Sequence, residues 1–171
     1  MKSAIMQWPQ ARSMVAVLLL ALAGCAVQLA PTYDKALADG LAAASTDTMT
    51  LLASASQGTS KSTFPAREDK YNALIGKLEA LALSSASRPM PKNKVTDAIN
   101  KLMEKRGTPP LQDDDLSPPS AHAIQQIAVT MTKMRDTDKL QGVTALEVQV
   151  FKGQVVIYFD QAITYENFLQ R

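Results

Sequence analysis

The sequence predicts an all-α protein, a helical bundle of four long helices plus one shorter helix, after a cleaved signal peptide. Three observations carry this. Apolar side chains recur at three- and four-residue steps in five separate segments, the period of one helix face. Each of those segments is bounded by residues that start or stop helices, among them Pro65, Asn93, Gly107, Ser117 and Gly142. Only one stretch, 146–159, also reads as strand.

At the start of the chain, Lys2 and Arg12 make a positive leader without acidic residues, 14–22 is an unbroken apolar run, and Ala23 and Gly24 are small. That layout is an export signal. Its apolar run is too short for a membrane span, which needs roughly 20 residues. The ending Leu22, Ala23, Gly24, Cys25 resembles the lipobox of bacterial lipoprotein precursors, each position of which it matches. The resemblance implies cleavage between Gly24 and Cys25, a diacylglyceryl thioether on Cys25 and acylation of the new amino group. One myristoyl chain binds a membrane only marginally and each buried methylene adds about 0.8 kcal/mol, so three acyl chains would make release negligible. Ala26 stands where an aspartate would resemble the inner-membrane retention signal, which implies the periplasmic face of the outer membrane. The expected division is 1–24 signal peptide, 25–32 lipidated cysteine and short tether, and 33–171 a single helical-bundle domain.

The chain has 18 Lys+Arg against 16 Asp+Glu, and the surplus is Lys2 and Arg12, which the leader takes with it. A balanced remainder gives no electrostatic reason to expect nucleic-acid binding or a polybasic membrane patch. The single cysteine is assigned to lipid, so no disulfide is expected within the monomer.

The first helix is expected over 33–56, with Thr32 as N-cap and Asp34 in the first turn. Its stripe is Tyr33, Leu37, Gly40 or Leu41, Ala44, Thr48, Leu51 and Ala55, and the small Ala36, Gly40, Ala43 and Ala44 would let a neighbour approach closely. After a polar loop at 58–63, Pro65 opens a second helix over 65–86 with Tyr71, Leu74, Ile75, Leu78, Leu81 and Ala82 on one face. The prolines at 89 and 91 end it. Asn93 caps a shorter helix over 94–106, with Val95, Ile99, Leu102 and Met103 inward and Gly107 as its stop. In the following loop Asp113, Asp114 and Asp115 lack the alternate spacing and glycine turn of a calcium loop, so they read as a solvated acidic cluster. Ser117 caps the next helix, 118–135, whose stripe is Ile124, Ile127, Ala128, Met131 and Met134, with 136–142 as a turn.

Residues 146–159 admit a hairpin about Lys152 and Gly153, supported by seven β-branched residues between positions 143 and 157. The steps Thr144, Val148, Phe151, Val155, Tyr158, Ala162, Tyr165 and Leu169 continue ten residues beyond that hairpin. One long helix therefore explains more of the sequence. It carries a second apolar stripe, Val143, Leu146, Val150 and Ile157, which is expected to be core against a second neighbour and is otherwise a possible partner face. The mature chain is similar to small helical lipoproteins of Gram-negative bacteria, which begin near a Tyr-Asp pair, here Tyr33 and Asp34, and end in a basic-terminated helix, here 165–171. That likeness brings no activity with it.

No catalytic constellation emerges. With His122 as its one histidine the chain cannot supply two Glu-x-x-His units for a di-iron site, and it has no Cys-x-x-Cys-His for covalent haem. His122 also lacks a neighbouring nucleophile motif and reads as a surface residue. No enzyme, metal or cofactor is expected. Two function classes remain: a non-catalytic envelope protein, held to the membrane by its N-terminal lipid and offering helix faces to an envelope protein partner, or a small-molecule or lipid-binding bundle whose first helix borders a cavity.

Changing Cys25 to Ser is expected to abolish incorporation of radiolabelled palmitate and to leave the precursor uncut. A Cys25→Ser chain that still labels would refute the anchor. Recovery of the unchanged chain only from inner-membrane fractions would refute the reading of Ala26.

Overall fold

The computed structural model describes residues 30–91, 101, 104, 105, 107 and 117–170. Among these are four long helices, α1 (Lys35–Ser54), α2 (Pro65–Ala86), α3 (Pro119–Gln141) and α4 (Ala145–Leu169), one short 3-10 turn at Lys61–Thr63, and no strand. The leader, Cys25 and its neighbours, and the triplet Asp113, Asp114, Asp115 lie outside the described residues. So does most of the shorter helix expected over 94–106, of which Lys101, Glu104 and Lys105 are helical. Gly107, its expected stop, has φ +69°.

Helix α1 packs on α2 and α4, α3 packs on the same two, and the backbones of the diagonal pairs lie farther apart. The connections 55–64 and 142–144 are short, so each joins antiparallel neighbours. The α2–α3 pairing is also antiparallel, because Ser85 in the last turn of α2 meets Ser120 in the first turn of α3. The result is an up-down-up-down square. Its core is filled by Leu37, Leu41, Leu51 and Leu52 of α1, Tyr71, Leu74 and Leu78 of α2, Ile124, Ile127, Met131 and Met134 of α3, and Val155 and Phe159 of α4. The stripes expected for the first two helices and for 124–134 are those that face inward, except Tyr33 and Leu81, which are half-buried.

Helix α3 begins at Pro119 with Pro118, not Ser117, at its N-cap, and three further local features differ from expectation. Asp34, not Thr32, caps α1, its carboxylate accepting from the Leu37 N–H at 3.1 Å. Of the small residues of α1, Gly40 does admit a neighbour, since a Cβ there would lie 2.7 Å from Leu81 Cδ2. Ala36 and Ala43 face solvent instead. The third difference is the end of α3, which runs to Gln141 through the expected turn at 136–139.

That extension has a physical cause in Asp138. Its carboxylate is fully buried and takes two parallel hydrogen bonds from Arg67, Nε to Oδ2 at 2.8 Å and Nη2 to Oδ1 at 2.8 Å, while the Thr59 hydroxyl donates to Oδ1 at 2.6 Å. A buried carboxylate so paired keeps its turn helical, although aspartate in open sequence signals a turn. Burial alone would raise the Asp138 pKa, but the bonds from Arg67 and Thr59 and the guanidinium charge outweigh it and hold the carboxyl below its ordinary range. Nearby, the Tyr71 hydroxyl is buried beside the Asp138 carboxylate. Burial first, and the Asp138 charge second, push its ionisation far above that of free phenol.

Thr59 also joins the two loops at this end of the bundle. Its N–H donates to the Val143 carbonyl at 2.7 Å, and its hydroxyl accepts from the Val143 N–H at 2.9 Å. The close approach requires Gly142, whose φ is +86° and at which a Cβ would sit 2.6 Å from the Thr59 carbonyl oxygen. Helix α4 then starts on a capping box: the Thr144 hydroxyl accepts from the Glu147 N–H, and the Glu147 carboxylate accepts from the Thr144 N–H at 2.7 Å. At the opposite end Arg88 clamps Glu166 of α4, Nη1 to Oε2 at 2.9 Å and Nη2 to Oε1 at 2.6 Å. Its Nη2 also donates to the hydroxyls of Ser85 and Ser120.

Replacing Arg67 by Ala leaves the Asp138 carboxylate buried and unpaired, at an expected cost of about 3 kcal/mol at neutral pH. Because the folded pKa of Asp138 lies below its unfolded value near 3.8, the stability it contributes is full above that pH and is lost as the pH falls through the lower folded value. Urea unfolding of both chains from pH 7 downward should show the gap narrowing as the pH falls, first as the unpaired buried carboxyl of the Arg67→Ala chain protonates above the ordinary carboxylate range and then as the paired one of the unchanged chain protonates below it. A gap that does not depend on pH would refute the charged pair.

Candidate interaction face

Helix α4 is apolar on both sides, and the bundle uses one of them. Val148, Val155, Phe159, Ala162 and Glu166 are buried, and at 100° per residue they fall within one narrow sector. The expected core stripe is therefore rotated: Phe151, Tyr158, Tyr165 and Leu169 are its half-buried border, and Phe159 and Glu166 take the centre. No periodicity argument places a glutamate in a core. Its partner Arg88 lies in another segment, so the signal would have had to be a pair 78 residues apart.

The second stripe, expected to be core, points the other way. Leu146 is 70% exposed, Val150 54% and Ile157 58%. The reason is the square plan, in which α4 has two neighbours, α1 and α3, and both lie on the Phe159 side. Val143 leaves the set: it sits in the connection before α4, is 1% exposed and is fixed by Thr59. The structure thus keeps Leu146, Val150 and Ile157 together and adds Gly153, Thr164 and Phe168, all exposed and all within about 40° of the line opposite the core.

This outer line contains no lysine or arginine, and Asp160 is the acid beside it. On an ordinary surface helix these positions are charged. Gly153 lies mid-way, and a Cβ built there would meet nothing within 4 Å, so packing inside the bundle does not require the glycine. It leaves a notch in the outer surface.

The other sites foreseen from sequence are unremarkable in geometry. His122 is exposed on α3. Among the described residues no three His, Cys, Asp or Glu side chains are grouped so as to hold a metal ion, and no helix is long and apolar enough to cross a membrane. The cluster of Arg88, Glu166, Ser85 and Ser120 spends its donors and acceptors on one another. A groove of about 290 Å³ lies between α1 and α2 over Leu51, Ala73 and Leu74, bridged by the Asp47–Lys77 ion pair. None of the small residues at 36–44, where a cavity would be expected, lines it. No protein-family model, curated protein or solved structure matches the chain. The face on α4 therefore rests on its own geometry.

Val150→Glu places a carboxylate in water and is expected to change stability by no more than about 0.5 kcal/mol. Val155→Glu, one helix turn away on the buried side, is expected to cost several kcal/mol. Thermal unfolding of the two variants checks the orientation of α4. A larger loss for Val150→Glu would invert it.

Proposed function

We propose that this is a lipid-anchored, non-catalytic protein of the cell envelope, facing the periplasm from the outer membrane, that presents the outer face of α4 to a protein partner. The observation that carries the reading is the uncharged stripe of Leu146, Val150 and Ile157, exposed directly opposite the core. Soluble monomers seldom leave such a surface bare, and an apolar patch rimmed by polar residues marks an interaction site. The sequence supplies the anchor at Cys25, with Gly24 on the far side of the cut and Ala26 as the sorting position. In this reading the bundle of four long helices gains a fifth, shorter one over 94–106.

The tether supports the same picture. Helix α1 begins at Lys35, so residues 26–34 separate it from the lipid, and at about 3.6 Å per residue they reach roughly 30 Å at most. The domain is kept within one bundle length of the membrane, where a partner on or near that surface can reach α4.

A photo-crosslinking side chain at position 150 is expected to give a discrete adduct in intact cells, and one at Glu79 on the exposed side of α2 to give none. Absence of an adduct from position 150, in a chain that labels with palmitate and fractionates with the envelope, would overturn the interaction reading while leaving the anchor in place.

A further inference from the structure

We infer that the occupant of the α4 face is a second copy of this chain, paired antiparallel about a two-fold axis at Ile157; this rests on the reading of that face as an interaction surface. The stripe, followed along the helix, is Leu146, Val150, Gly153, Ile157, Gln161, Thr164 and Phe168, every one exposed. Its steps are four, three, four, then four, three, four. The spacing is the same read in either direction from Ile157. Over six turns it averages about 3.7 residues per turn, so the line runs along the helix axis rather than winding around it.

A two-fold contact needs a surface complementary to itself, in which residue i meets j and j meets i. Reversing α4 about Ile157 provides it. Ile157 meets Ile157, Gly153 meets Gln161, Val150 meets Thr164, and Leu146 meets Phe168. Leu146 against Phe168 and Ile157 against itself are apolar pairs, Gln161 lies over Gly153, Val150 and Thr164 are of equal size, and no layer opposes like charges. The Gly153 notch, which nothing inside the bundle uses, lies one turn from the axis on both copies, where it receives Gln161 and lets the two backbones approach.

The charge pattern argues against a lipid surface as the occupant. Helices that lie in a membrane interface carry lysine and arginine along the border of the apolar face. Here the border holds Gln149, Gln154 and Asp160, and Asp160 would lose its water against lipid, whereas at the edge of a helix pair it stays solvated. The stripe and its border offer on the order of 600 Å² per copy, so about 1,200 Å² in all, the lower bound for specific protein interfaces. Such a contact is weak in dilute solution. Two copies tethered to one membrane meet at high effective concentration, which offsets that weakness.

The test uses the full chain in cells, with two co-expressed copies of different size, one carrying Leu146→Cys and the other Phe168→Cys, treated with a short bismaleimide. The unchanged chain, whose Cys25 is lipid-blocked, is the control; a crosslink in that control would indict the anchor and not the pairing. Expected is a crosslink between the unlike copies and none between like copies. Ile157→Glu in both copies should reduce it at least tenfold, and Ile157→Glu in one with Ile157→Lys in the other should restore it, because the two meet on the axis. Ile157 is exposed, so unchanged melting curves should accompany the loss. Overturning results are no crosslink between unlike copies, a crosslink between two Leu146→Cys copies, or failure of the opposite charges to rescue. If those occur while position 150 still captures a different protein, the interaction face stands and the second copy falls.

Discussion

Asp138 and Arg67 hold one end of this bundle together, and much of the rest follows from where they sit. The carboxylate is out of water and would be expensive alone; two hydrogen bonds from the guanidinium and one from Thr59 make it tolerable. The Thr59 bond then fixes the loop after α1 against Val143, which sets the point at which α3 stops and α4 begins. At the far end Arg88 performs the same service for Glu166. Both arginines flank α2, one in its first turn and one just past its last. Helix α2 is in that sense the strut to which α3 and α4 are tied. Buried pairs of this kind add little net stability over an apolar substitute, but they admit few alternative arrangements.

What the sequence made legible is what local physics decides. Helix α2 begins at Pro65 and ends at Ala86 because proline suits a first turn and a pair of prolines stops the chain beyond. Ile124, Ile127, Ala128, Met131 and Met134 read as a core stripe because their spacing is helical whatever surrounds them. For 146–159 the extended run of three- and four-residue steps outweighed seven β-branched residues, as expected when packing along 25 residues competes with a modest intrinsic preference. What was illegible is non-local. An aspartate at 138 signals a turn until an arginine 71 residues earlier is placed beside it. Thr32 and Asp34 are both capable caps, and the choice between them depends on where the chain enters the bundle.

The two faces of α4 show the same limit in a sharper form. Periodicity establishes that Val148, Val155 and Ala162 lie on one side and Leu146, Val150 and Ile157 on another. It does not say how many neighbours the helix has. A third neighbour would have buried both, and the square plan supplies two. The outer face of α4 was therefore visible as a pattern and invisible as a surface.

With both sides apolar, transfer of hydrophobic area alone does not fix which side of α4 turns inward, so something else must. Turning the helix by half a revolution would carry Leu146, Val150 and Ile157 into the core at little loss of apolar burial. It would also bring Gly153 inward, leaving a void. More costly still, Glu166 would swing away from Arg88, which is 9% exposed and would keep its charge in a nearly dry site. At the other end Val143, gripped by Thr59, and the capping box at Thr144 fix the azimuth at which the first turn sets out. The rotation of α4 is thus set at both ends by polar contacts that bring little net stability, and their consequence is a line of apolar side chains held out to solvent. The azimuth of α4, and with it the direction of its outer face, is thus built into the fold by two buried ion pairs.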